Sequence, residues 1–192
     1  MPEMRIVTRK IVFEMVLRFL TVIALAIWFG GFTFYSTAVI ATSQEVLHSH
    51  LRAGLITQQV TNWLNWISLP ALAICGLNLV AQRKDPRRFW VWMLGVAFAG
   101  MVVTQITLFP AHRVLDARIM DHQIADEAAF FGLHRLYLVL STLQWCATVA
   151  YIWVTLVLWA GGIARTTPVA AQKEGDERSD IFAEKAWTTG EG

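Results

Sequence analysis

Five histidines, His48, His50, His112, His122 and His134, are the only imidazoles of the chain, and all lie near the same end of its hydrophobic segments. Neutral imidazole is the commonest transition-metal ligand and a usual axial ligand of haem, so any metal chemistry belongs at that end. His112 follows Pro110 by two residues, and His134 opens the last apolar segment. This pair is the candidate haem or metal site. Phe109, Phe130 and Phe131 could wall it, and Gln105 and Tyr137 could give the hydrogen bonds that fix a ligating imidazole's tautomer. His48, His50, Asp116, Asp121 and His122 are secondary candidate metal ligands, since His48-Ser49-His50 has no distinctive metal spacing.

A second constellation is a polar seam. His134, Ser141, Thr148 and Thr155 recur every seven residues, so on a helix they drift only slowly around the axis. Gln144 sits nearby on the same segment, and Gln105 lies near the corresponding end of the preceding one. Polar groups facing lipid are costly, so the seam should face other helices. There it can form interhelical hydrogen bonds, or line a hydrated path or polar pocket. Nucleophilic catalysis has little support: there is no G-x-S-x-G, no phosphate loop and no H-E-x-x-H. The chain reads more as a binding or transport-type protein than as an enzyme.

The elements that must position these residues follow from composition. Hydrophobic residues make up 56% of the chain and charged ones only 16%, against about a quarter charged in an ordinary soluble domain. Four segments, near 19–41, 63–80, 89–110 and 131–160, approach or exceed the roughly 20 apolar residues that cross a bilayer. Isolated strands would leave backbone groups unpaired in lipid, so these segments are helices. The expected fold is all-α, an integral-membrane four-helix antiparallel bundle over residues 1–164, followed by a disordered tail over 165–192. In the connection from Ala111 to Ala129, Met120, Ile124, Ala128 and Phe131 recur at helical spacing. They predict a short interfacial helix, or a last helix that starts early.

Charge orients the bundle. Arg5, Arg9, Lys10 and Arg18, then Arg83, Lys84, Arg87 and Arg88, then Arg165 fall at one end, while Arg52, Arg113, Arg118 and Arg135 fall at the other. The positive-inside rule then puts both termini in the cytoplasm and the histidines outside, as in a bacterial inner-membrane protein. The formal net charge of +2 calls for no nucleic-acid partner. The partners expected are the lipid bilayer and either further copies of the chain or subunits of a membrane complex. Gly30, Gly31 and Gly95 are candidate helix-packing positions, because close backbone approach is a main attraction between helices in lipid. Cys75 and Cys146 fall inside predicted helices, with no metal-knuckle spacing.

Trp28-Phe29-Gly30-Gly31, Ala53-Gly54, and Phe109-Pro110 followed by Phe130-Phe131-Gly132-Leu133-His134 together resemble a family of four-helix membrane proteins of unknown function. That family is itself distantly similar to copper-resistance-D-type membrane proteins. The likeness runs over residues 19–160 and implies a glycine pair in the first helix, a proline closing the third and Phe-x-x-Leu-His opening the fourth. Two departures stand out: Thr42-Ser43 replaces a proline near the end of the first helix, and the basic residue after the third-helix proline is either Arg113 or Arg118. Trp28-Phe29-Gly30 with Phe34-Tyr35 also resembles the small haem-binding protoporphyrinogen oxidases of bacteria, though no histidine stands at the start of the first helix.

Overall fold

A near-continuous helical rod runs from Pro2 to Leu47: α1 (Pro2–Phe34), a wider π-helical turn over Tyr35–Val39, and α2 (Ile40–Leu47). The computed structural model describes residues 2–117, 119–120, 123–124 and 127–188, with side chains described for 9, 11–49, 52–115 and 131–162. Three hydroxyl bonds to the backbone accompany the π turn. Thr33, Ser36 and Thr37 each turn their hydroxyls back onto a carbonyl four residues earlier, Phe29, Phe32 and Thr33, which competes with the regular backbone ladder. The chain then reverses within two residues. His48 adopts the left-handed conformation (φ 45°), and the Ser49 side chain caps the next helix by accepting from the Arg52 amide.

Helix α3 (His50–Gln82) and α4 (Arg88–Ala117) are joined by a short basic turn, and α5 (Glu127–Thr188) closes the bundle. Two-residue strands, β1 (Ile119–Met120) and β2 (Gln123–Ile124), pair antiparallel between α4 and α5. Contacts across each interface run in opposite sequence directions. Gly31 meets Leu64 and Tyr35 meets Thr61; Trp66 meets Phe109 and Gly76 meets Phe98; Gln105 meets Gln144 and Arg87 meets Leu158. Phe29 meets Trp145 and Arg18 lies over Trp159, closing the ring between α1 and α5. The helices are therefore antiparallel in the cyclic order α1, α3, α4, α5.

Four stretches are long and apolar enough to cross a membrane: Ile11–Leu47, Arg52–Gln82, Arg88–Leu115 and Phe131–Gly162. In each, only 22% to 33% of the most apolar window is buried within the protein. Large apolar side chains such as Trp63, Val103, Ile106 and Trp153 are exposed on the outer faces of the helices, which suits lipid and not water. The protein is an all-α, multi-pass membrane protein. Its centre is Leu25, Trp28, Ala71, Cys75, Leu94, Ala97, Met101, Tyr151, Val154 and Leu158. Small residues set the spacing: Cβ atoms built at Gly31 and Gly100 would lie 3.4 Å from Leu64 and Ala147, and one at Gly76 only 3.2 Å from Phe98. Gly30 and Gly95, expected to be packing notches, meet nothing within 4 Å, so that role falls to Gly31, Gly76 and Gly100.

Several boundaries differ from the sequence expectation. The stretch 42–62, which lies between the first two expected apolar segments, completes α2 and supplies the first turns of α3, whose Thr57 and Thr61 meet Tyr35. Pro110 does not end α4. Leu108, His112 and Leu115 are all buried at four- and three-residue spacing, so the core-facing stripe outlasts the one bond the proline cannot make. Met120 and Ile124 lie in the strand pair instead of an interfacial helix, while α5 does start early, at Glu127. Helix α5 also continues to Thr188, over the segment expected to be disordered. Ala170-Ala171-Gln172-Lys173-Glu174 in that segment are strong helix formers.

Candidate functional site

The histidine end of the bundle holds a chain of three buried amides. Gln144 on α5 donates from Nε2 to Gln105 Oε1 on α4 at 2.6 Å, and Gln105 donates from Nε2 to Asn65 Oδ1 on α3 at 3.2 Å. All three are 4% to 8% exposed, deep enough that unmet polar atoms would be costly. Ser68 donates to the Asn65 carbonyl at 2.6 Å, fixing the local turn of α3. On the fourth side, the first residue of the π turn enters: Thr61 donates to the Tyr35 hydroxyl at 3.2 Å, and Tyr35 reaches the Thr57 carbonyl at 3.5 Å. Tyr35, Thr61, Asn65, Gln105, Tyr137 and Gln144 border a central cavity of about 20 Å³, room for about one water molecule.

Asn65 also lines a second, larger space. A cleft of about 170 Å³ lies between α3 and α4. Gln58, Gln59, Asn62 and Asn65 form its α3 wall, and Phe109, His112 and Arg113 its α4 wall. The rings of Trp66 and Phe109 meet edge to face, centroids 5.8 Å apart, and give it an apolar side. Arg113 stands at the exposed rim with its guanidinium 6.0 Å from the Phe109 ring centre. Among the described residues, no Asp or Glu lines the cleft. A cation, an imidazole and four amides around this hollow favour an anionic or strongly hydrogen-bonding guest.

The predicted seam faces the bundle. Ser141, Thr148 and Thr155 are all buried, and His134 is half-buried nearer the helix start. Ser141 and Thr148 give their hydroxyls to the Tyr137 and Gln144 carbonyls of their own helix, so they join no neighbouring helix by these bonds. Gln105 and Gln144, beside the seam, carry the interhelical contact. His112 is 7% exposed, with its ring 6.2 Å from that of Tyr137. His48 is exposed in the α2–α3 reversal. The side chains of His50 and Asp116, and the whole of Asp121 and His122, lie outside the described residues. Among the described residues, no group of three His, Cys, Asp or Glu side chains is placed to hold a metal ion.

No family model matches this chain, and neither does any curated protein or solved structure. The resemblance to the four-helix family of unknown function thus stands on the short motifs quoted above.

A second polar cluster lies toward the opposite, basic end. Trp159 donates to Asn78 Oδ1 at 3.3 Å, Asn78 donates to the Tyr151 hydroxyl at 2.9 Å, and Tyr151 donates to the Cys75 carbonyl at 2.8 Å. An indole can only donate, so each proton direction in this chain is determined. At the basic end itself Arg87 makes a fork with Asp85 and reaches the Val157 and Leu158 carbonyls of α5 at 3.0 and 2.6 Å. The hydrogen bond with Asp85 raises the Arg87 pKa above its ordinary value, so the guanidinium stays charged. Gly161 makes the approach feasible, because a Cβ there would collide with the Arg87 guanidinium. Sequence reasoning missed Tyr35, Asn65, Asn78, Tyr151 and Arg87. The signal for Asn65 was present in Gln58, Asn62 and Asn65, spaced four and three apart on one helical face.

Proposed function

We propose that this protein is a membrane-embedded binding protein for a small organic anion, taken up from the aqueous phase at the histidine end of the bundle. One observation carries the reading: Asn65 belongs both to the cleft and to the buried Asn65–Gln105–Gln144 chain. A guest that contacts Asn65 therefore touches a hydrogen-bonded series that spans three helices. The ligand class follows from the walls. Arg113 and the amides suit a carboxylate, and Trp66 with Phe109 suits an apolar body attached to it.

The positive-charge asymmetry supports a topology in which both termini face the cytoplasm and the cleft faces outward, in a membrane such as the bacterial inner membrane. In that setting the protein captures its ligand outside, either to hold it or as the first step of transport.

Benzoate, which carries a carboxylate on an apolar ring, is a suitable probe, and benzylamine is its cationic counterpart. Purified protein in nanodiscs should melt at higher temperature as benzoate is raised, because a ligand that binds only the folded state stabilises it. Benzylamine should have no such effect, and Arg113→Gln should remove the benzoate response while leaving the ligand-free melting temperature unchanged. Equal stabilisation by both probes, or a benzoate response untouched in Arg113→Gln, would refute the assignment.

A further inference from the structure

The basic end carries a separate surface that the binding cleft does not use. In the turn between α3 and α4 there are four cations, Arg83, Lys84, Arg87 and Arg88, and a single acid, Asp85. Asp85 is engaged: it accepts from the Arg87 amide at 2.8 Å and from the Arg87 guanidinium at 3.1 and 3.0 Å. Arg87 in turn leans onto α5. Arg83, Lys84 and Arg88 are exposed, and no ion pair joins them to another described residue. The turn is also well ordered by its own backbone, through bonds from Arg83 to Val80, Asp85 to Gln82 and Arg88 to Pro86.

What lies beneath these cations gives the partner its chemistry. Ala73, Leu77, Val80 and Lys84 follow one another at four- and three-residue spacing, and all are exposed. Arg88, Trp92, Val96, Ala99 and Val103 do the same on α4. Lys84 and Arg88 thus each stand at the head of an exposed apolar stripe. A positive turn above apolar outer faces on two helices that pack together is the complement of a phospholipid with an anionic headgroup and two acyl chains.

We propose that the α3–α4 turn holds an anionic phospholipid, its phosphate shared by Arg83, Lys84 and Arg88 and its chains laid along the stripes below Lys84 and Arg88. Arg87 and Asp85 are positioning residues that brace the turn and do not touch the lipid. This assignment needs no decision about which side of the membrane the turn occupies. It is independent of the proposed ligand cleft at the other end.

The test uses the full chain, solubilised with phosphatidylglycerol or with phosphatidylcholine of the same acyl chains, and counts retained lipid by native mass spectrometry. Phosphatidylglycerol should be retained over phosphatidylcholine. Each of Arg83→Gln, Lys84→Gln and Arg88→Gln should weaken that retention roughly five-fold at low ionic strength, and the three together roughly a hundredfold. Arg52→Gln, an exposed cation at the opposite end, should leave it unchanged. Single substitutions keep three of the four cations of the turn, and circular dichroism verifies that helicity is preserved. Wild-type retention of phosphatidylglycerol should also fall as salt is added, while phosphatidylcholine retention stays flat. Equal retention of the two lipids, loss of phosphatidylglycerol in Arg52→Gln as large as in the turn variants, or salt-insensitive retention that survives all three substitutions would overturn the proposal.

Discussion

Gln105 sits in the middle of the amide chain, accepting from Gln144 and donating to Asn65. Its removal strands a partner on each side. Gln105→Leu should therefore destabilise the protein by about 1–2 kcal/mol, read as a lower unfolding midpoint in nanodiscs. Replacing Asn65, Gln105 and Gln144 together by Leu removes every stranded group and should recover most of that loss, while abolishing the benzoate response. A Gln105→Leu protein as stable as wild type would mean the chain contributes nothing to folding. At this scale the sequence was partly readable. Gln105, Ser141, Thr148 and Thr155 could be placed toward the interior because lipid excludes a polar seam. Asn65 and Tyr35 fall inside the apolar segments 63–80 and 19–41 but belong to no seven-residue polar repeat there, and Tyr35's partner Thr61 lies outside both segments. Only the π turn and the early start of α3 bring Tyr35 and Thr61 together.

Between elements, the α3–α4 turn and α5 are joined by one guanidinium in a gap left by one glycine. Arg87→Met removes charged hydrogen bonds to two carbonyls. With the side chain 23% exposed and partly screened, the expected cost is about 1–2 kcal/mol. Gly161→Leu should cost a similar amount by displacing the same side chain. The double variant should be far less destabilised than the sum of the two, because both changes remove one interaction. Additive losses in a thermal-unfolding cycle would show that Gly161 does not act through Arg87. Neither partner was legible as a contact beforehand. Arg87 read as one of four topology-setting cations, and nothing in its spacing pointed to residues 70 positions away. The helices themselves were legible in number and place, since apolar length is a local property. Their ends were less so, because Pro110 and the polar residues near His50 suggest stops that burial of Leu115 and capping by Ser49 override.

Over the whole molecule, four apolar helices carry large exposed apolar side chains, and the polar side chains that bond between helices cluster in two interior layers, around Gln105 and around Asn78. Burial against other helices is modest, so small residues and hydrogen bonds must hold the bundle together. On the proposed reading, the cleft between α3 and α4 is an anion site open to the side opposite the basic turn. Single cysteines at 62 and at 84 test it directly in intact cells, in a background with Cys146→Ser, by comparing negatively and positively charged methanethiosulfonates. Both Asn62 and Lys84 are exposed, and Asn62 lines the cleft. Asn62→Cys should react from outside, faster with the anionic reagent after correction for intrinsic reactivity, and benzoate should slow this reaction. Lys84→Cys should react only after the membrane is opened. An Asn62→Cys that is unreactive, that prefers the cationic reagent, or that is shielded until the membrane is opened while Lys84→Cys is not, would rule out an outward-facing anion site.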